Sequence, residues 1–248
     1  MTTPFPAAAR SDLAPTGALR VGLNYSNFLL VGRDPVSGTP RGVAVDLAHE
    51  LGRRAGVPVE FVGYDAPVKM ADAAQTGRWD IAFLGAEPAR ATEIAFTAAY
   101  LEIDATYLVP AGSPLRSIAD VDRYGVRISV SNRSAYELFL SRTVQRARLM
   151  RVDGVAASFE QFVAEKLEAL AGLRPRLVTE AEKLPGSRVL EGRFTAIQQA
   201  IGAPRGRHAA AQYLREFVED VKASGLVARA IERNGVRGVS VAPPAPVP

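Results

Sequence analysis

The chain of 248 residues contains no cysteine and only two histidines, His49 and His208, far apart in sequence. Disulfides, thiolate metal sites and a cysteine nucleophile are thereby excluded. A histidine-built metal site or a Ser–His–Asp triad has little to draw on. The groups left for chemistry are carboxylates, hydroxyls and cations. Three pairs stand at the cap-x-x-acid/amide spacing that opens a helix: Ser117 with Asp120, Ser134 with Glu137, and Ser158 with Gln161. Thirty Lys and Arg face 26 Asp and Glu for a net charge of +4, but the arginines are scattered singly among acids. The longest basic cluster, Arg142 to Arg151, reads as the solvated face of one helix. That distribution argues against a nucleic-acid partner, and no cofactor is expected.

The elements that must position these groups alternate short β-branched runs with amphipathic helical runs, which predicts an α/β chain with a mostly parallel sheet. At 48% apolar and 23% charged, the composition is that of a folded protein. The length allows one large domain or two lobes, each with its own core. Strands are expected at Leu19–Asn24, Val59–Tyr64, Trp79–Leu84, Thr106–Pro110, Val126–Ser131, Leu167–Gly172 and Arg188–Leu190, with Phe194–Gly202 extended. Ala44, Leu47, Ala48, Leu51 and Ala55 follow helical spacing up to Gly56 and Pro58. A helix is expected from about Pro67 to Thr76 and another after Pro175. The clearest stripe is Ala210, Tyr213, Leu214, Phe217, Val218 and Val221, and Ser224 is expected to cap a last short helix. The tail, 236–248, ends in VAPPAPVP and is expected to stay disordered. The N-terminal MTTPFPAAAR stretch lacks the charged start and apolar run of a secretory signal, and no window reaches the ~18 apolar residues of a membrane span.

Five segments in order carry a resemblance: LRVG, GVAVDLAHELGRRAGVPVEFV, QTGRWDIAF, PARATEIAFTAAYLEIDATYLVP and SPLRSIADVDRYGVRISVSNRSAYELFL. Together, over about 19–235, they resemble the extracytoplasmic solute-binding proteins of polar amino-acid ABC importers, the periplasmic-binding-protein type 2 fold, family 3. That resemblance implies two α/β lobes joined by two hinge strands, with a ligand cleft that closes on its solute. Mapped on this chain, lobe one is 1–107 plus 198–235, lobe two is 110–192, and the hinges are Thr106–Pro110 and Phe194–Gln198.

The resemblance also assigns residues. Arg90 stands where the family clamps the ligand carboxylate, and a planar guanidinium can give it two parallel hydrogen bonds. Glu87 replaces the family's threonine; it either meets a cationic ligand group or pairs with Arg90. Asn132 and Ser134 lie at the helix start that usually offers amides and a hydroxyl, with Arg133 in place of a glycine. Asn24 and Asn27 occupy the loop of polar and aromatic cleft residues, where Tyr25 or Phe28 could form a floor. Lys69 is expected on a turn facing the cleft, unless it is an ordinary surface lysine. The aspartate that meets a ligand ammonium is here Leu173, followed by Arg174, which favours a carboxylate or an amino-acid derivative over a standard amino acid.

These assignments imply a monomeric carrier of a small carboxylate-bearing ligand, docking on an ABC importer permease outside the cytoplasmic membrane. The lack of a signal peptide leaves a cytoplasmic place open. The alternatives are a cytosolic ligand sensor, or a dehydratase-like enzyme on the same scaffold using Glu87 or Glu102 as its acid.

Overall fold

A computed structural model describes residues 5–246. The first four residues of the N-terminal stretch and the last two of the tail lie outside the described residues. The chain divides into two compact units, one running up to Glu102 and resuming at Gln198, the other being Ile103–Ile197.

The first unit opens with α1 (Ala7–Leu13) and β1 (Leu19–Asn24), then a small hairpin of β2 (Gly32–Arg33) and β3 (Pro40–Arg41). Helix α2 (Val43–Ala55) follows, then β4 (Val59–Tyr64), α3 (Pro67–Asp72) and β5 (Ile81–Gly85). The stripe expected for α2 is completely enclosed, Ala44, Leu47, Ala48, Leu51 and Ala55 all at 0% exposure. Gly42 admits the chain to this helix at φ 128°, where a Cβ would collide with the Leu30 carbonyl. Strands β4, β1 and β5 are mutually parallel neighbours. All five residues of β5, which lies between β1 and β11 in the sheet, are buried.

Strand β6 (Ile94–Val109) leaves the first unit, and β11 (Thr195–Pro204) re-enters it to pair antiparallel with β5. Helix α7 (His208–Ala223) then buries Ala210, Leu214, Phe217, Val218 and Val221. Gly225, rather than Ser224, precedes α8 (Leu226–Arg233), because the chain turns through a left-handed φ of 73° there. The tail departs from expectation. Val239–Val241 forms β12 on β6, and the Ala242 N–H donates to the Tyr100 carbonyl at 3.2 Å. The Val-Ser-Val alternation pairs before Pro243, which has no N–H to continue a ladder.

The second unit carries β7 (Arg127–Ser131), α4 (Ala135–Thr143), β8 (Arg148–Val152), α5 (Val155–Ala164), β9 (Ala169–Leu173), α6 (Arg174–Ala181) and β10 (Arg188–Val189). Strand β7 runs parallel to β8 and β9, while Ala105–Leu108 of β6 pairs antiparallel with β9. Residues 108–109 also pair with β10, so this stretch is held inside the second unit's sheet. The core gathers Tyr107, Ile128, Val130, Leu140 and Leu190, with Phe139 and Phe194 packed against it.

Two local readings change. Arg142–Arg151 is not one helical face: α4 ends at Thr143, and Arg148 onward is strand β8, drawn into the sheet by β7. Ser158 does not open α5; the helix begins at Val155 after Gly154, and the Ser158 hydroxyl donates back to the Val155 carbonyl.

Candidate functional site

Each of the nine candidate residues lies at or past the carboxyl end of a parallel strand, the edge where open α/β sheets hold ligands. In the first unit, Asn24 is the last residue of β1 and Asn27 and Phe28 follow it, Lys69 follows β4, and Glu87 with Arg90 follow β5. In the second, Asn132 and Ser134 follow β7, and Arg174 follows β9.

Arg90 sits in a tight turn between β5 and β6. Its backbone N–H donates to the Glu87 carbonyl at 2.9 Å, and the Ile94 N–H donates to its own carbonyl at 3.0 Å. The side chain folds inward, and Nη1 donates to the Gly85 carbonyl at 2.7 Å. Arg90 is 7% exposed and Glu87 is 8% exposed. A buried guanidinium keeps its charge, so this turn offers a fixed cation at the end of β5.

Asn24 is largely buried, and its Oδ1 accepts from the Ser26 N–H at 3.1 Å and the Ser26 hydroxyl at 2.7 Å. This Asx-type turn folds the loop after β1. Asn27 Oδ1 is enclosed without a hydrogen-bond partner, and Phe28 is 48% exposed. Tyr25 carries the Arg33 guanidinium over its ring at 4.1 Å. Lys69 is the third residue of α3, where the chain passes from loop to helix, and it is exposed and paired with Asp65 at 2.8 Å.

In the second unit Ser134 is the N-cap of α4, its Oγ accepting the Glu137 N–H at 3.2 Å. Glu137, nearly buried, binds more than the cap spacing foretells. Its carboxylate accepts the Arg133 N–H at 3.1 Å, the Arg151 Nε–H at 2.8 Å and the Ser141 hydroxyl. Arg151 and Ser141 were missed as partners because only the β7–β8 pairing and the turn of α4 bring them there. The Tyr136 phenol bonds to Ser134 and Ser131; burial raises its pKa, and those hydroxyls pull the other way. Arg133 stands at φ 53°, a left-handed position that normally favours glycine. Asn132 Nδ2 donates to Asp153 at 3.0 Å.

Arg174 is the first residue of α6, and its side chain is partly buried. Its guanidinium donates to the Leu190 carbonyl at 3.2 Å and to the Gly192 carbonyl, with Asp104 at 3.9 Å. Leu173 packs against the unit's core. Glu102 accepts from Gln198 at 2.8 Å. Among the described residues no group of three or more His, Asp or Glu could hold a metal ion.

Within the first unit, the buried Arg90 just past the carboxyl end of β5 has the chemistry to pair with a small anionic group. The family model of the bacterial extracellular solute-binding proteins, family 3, matches residues 19–235. The chain belongs to this family.

Solved structures agree on the type 2 periplasmic-binding fold of family 3. The ancestral amino acid-binding protein AncCDT-1, a precursor of cyclohexadienyl dehydratase, superposes with a TM-score of 0.74 at 22% identity, covering 90% of this chain and 98% of that one. A putative binding component of an ABC transporter from Wolinella succinogenes, complexed with lysine, gives 0.74 at 22% identity over 88% and 95%. An amino acid ABC transporter substrate-binding protein from Streptococcus pneumoniae, bound to L-arginine, gives 0.73 at 17% over 94% and 99%. No curated protein matches the sequence. This family 3 chain adds α1 ahead of the matched region and β12 after it. No helix among the described residues is long and apolar enough to cross a membrane.

Proposed function

We propose that this chain captures a small carboxylate-bearing solute, an amino acid, amino-acid derivative or organic acid, and delivers it to an ABC importer outside the cytoplasmic membrane. Capture by lobe closure and action as a monomer belong to the same proposal, as does binding without turnover. Arg90 holds the carboxylate. The observation that carries this reading is the buried Arg90 guanidinium, fixed by the Gly85 carbonyl at the end of β5. Arg–carboxylate pairs are strong when both partners are held in geometry and shielded from water.

Two features shape the solute class. Glu87, buried in the same turn, suits a ligand that carries a cationic group beyond its carboxylate, as arginine and lysine do. Leu173 supplies no carboxylate at the end of β9, and Arg174 is held by backbone carbonyls. An α-ammonium is therefore dispensable, and N-acylated or plain organic acids are included. Asn24, Asn27, Phe28, Lys69, Asn132 and Ser134 complete the proposed contact set, with Lys69 at its exposed margin.

A thermal-shift screen of the purified chain tests this against arginine, lysine, other amino acids, their N-blocked forms, dicarboxylates and aromatic acids. A solute bound only by the folded state stabilises by RT ln(1 + [L]/Kd), about 2.7 kcal/mol at a hundredfold excess over Kd. A clear shift with the solute recovered unchanged supports capture without chemistry. A flat screen across all classes contradicts it.

A further inference from the structure

Beyond that reading, the second unit holds a cavity at the other end of its sheet. Leu167 precedes β9, and Pro110 follows β6, which runs antiparallel to β9. The cavity therefore sits at the amino ends of the parallel strands, whereas Asn132, Ser134 and Arg174 lie at their carboxyl ends. Its volume is about 310 Å³, at the lower end of the range for small-molecule sites. The lining is apolar, with Pro110, Phe162, Leu167, Leu184 and Pro185 as its walls.

Two rim residues give the cavity its chemistry. Val163 is 43% exposed, an uncovered apolar side chain at the mouth. Lys166 is also exposed, and it holds φ at 49°. Among the described residues fourteen glycines take positive φ, and Arg133 and Lys166 are the two other residues that do. Lys166 is the left-handed residue that closes α5: its N–H donates to the Val163 carbonyl at 3.3 Å and the Leu167 N–H donates to the Phe162 carbonyl at 3.0 Å, a helix-ending turn that sets Lys166 beside Phe162 and Leu167 of the lining. The nearby cation Lys183 is already committed to Glu180 at 2.6 Å and lies over the Phe159 ring. Among the described residues no acidic side chain is paired with Lys166, and Glu165 beside it is hydrogen-bonded to Gln161. An apolar cavity with one uncommitted ammonium at its rim complements an apolar tail ending in a negative charge.

We propose that this cavity binds a small amphipathic carboxylate, a medium-chain or aromatic acid, with its apolar part against Phe162 and Leu184 and its carboxylate at Lys166. This site is separate from the solute site.

Titration of the full chain with octanoate and with 1-octanol, followed by calorimetry or saturation-transfer NMR, tests it. Octanoate is expected to saturate one site and to bind about threefold to fivefold tighter than the alcohol, as one exposed ionic contact allows. Lys166→Gly relieves the left-handed backbone and keeps the carbonyl that accepts from Arg127. It is expected to bring octanoate down to the level of the alcohol and to leave the alcohol unchanged. Val163→Asp, at an exposed position, is expected to weaken both. Absence of saturable octanoate binding overturns the proposal, as does binding unchanged in both variants. Octanoate binding lost in Arg90→Ala but kept in Val163→Asp also overturns it, because the acid then occupies the solute site.

Discussion

The Tyr100 hydroxyl is enclosed without a hydrogen-bond partner, while its ring meets Phe83 edge-on at 5.7 Å. Burial drives the pKa of this phenol far up, so it stays neutral, but neutrality does not restore the lost hydrogen bond. An unmet buried polar group costs about 1–3 kcal/mol, offset here by the packing of the ring. Tyr100→Phe removes only the oxygen and is expected to raise unfolding free energy by up to about 1 kcal/mol in denaturant titration; a clear loss would show that the hydroxyl is satisfied. Glu50 is the opposite case. Hydrogen bonds first from Arg53 and then from Arg54 hold its pKa at about 2, against the burial that opposes them. A depressed carboxyl pKa stabilises the fold fully above its ordinary value near 4.5 and loses that contribution as pH falls through about 2. Because Arg53 is exposed, Glu50→Gln is expected to cost only about 0.5–1 kcal/mol at pH 7. Melting curves across pH check the sign: the gap between variant and parent should close on acidification, and a gap that widens would refute the pairing.

Helix α7 begins without a side-chain cap of its own, and Asp12 at the end of α1 supplies one from across the sequence. Its Oδ2 accepts the N–H groups of Ala209 and Ala210 at 3.0 and 3.1 Å, placing a negative charge on the positive end of the helix. Asp12→Ala is expected to cost about 1 kcal/mol, seen as a lower melting midpoint; an unchanged midpoint would mean that water replaces the cap. The same elements mark what was legible in advance. The stripes of α2 and α7 could be read because burial imprints a period on sequence. The Ser134–Glu137 start was read for the same local reason. Arg142–Arg151 was misread because charge has no period of its own and β8 exists only through its pairing with β7. Contacts between distant segments left no local mark either. Arg151 on Glu137, Asn132 on Asp153 and Arg174 on the Leu190 carbonyl all join residues at least fourteen positions apart. Leu173 and Arg174 come just after the strand expected at Leu167–Gly172, yet the engagement of Leu173 with the core and of Arg174 with the loop after β10 needed the fold.

At the scale of the molecule, two strands, β6 and β11, carry the chain out of the first unit and back. Near these crossings Gln198 donates to Glu102, and inside the second unit Thr106 and Arg174 both hold the Leu190 carbonyl. Within the first unit, Asp80 is wholly buried and meets Arg20 at 2.8 Å and Arg207 at 3.1 Å, joining β1 to the start of α7. Such buried charges persist only when fully paired. The frame thus fixes the strand ends from which the candidate side chains project, and the functional account rests on one of them. Its central claim is that Arg90 anchors a carboxylate. Calorimetric titration of the parent chain, Arg90→Lys and Arg90→Ala with the solute that gives the largest thermal shift tests this most directly. The account predicts saturation at one solute per chain in the parent. It predicts a loss of about thirtyfold or more in Arg90→Ala, as removal of one partner of a buried ion pair entails. Arg90→Lys should fall between, because a lysine keeps the charge but not the paired hydrogen bonds. A folded Arg90→Ala that binds the same solute with the parent's affinity would contradict it.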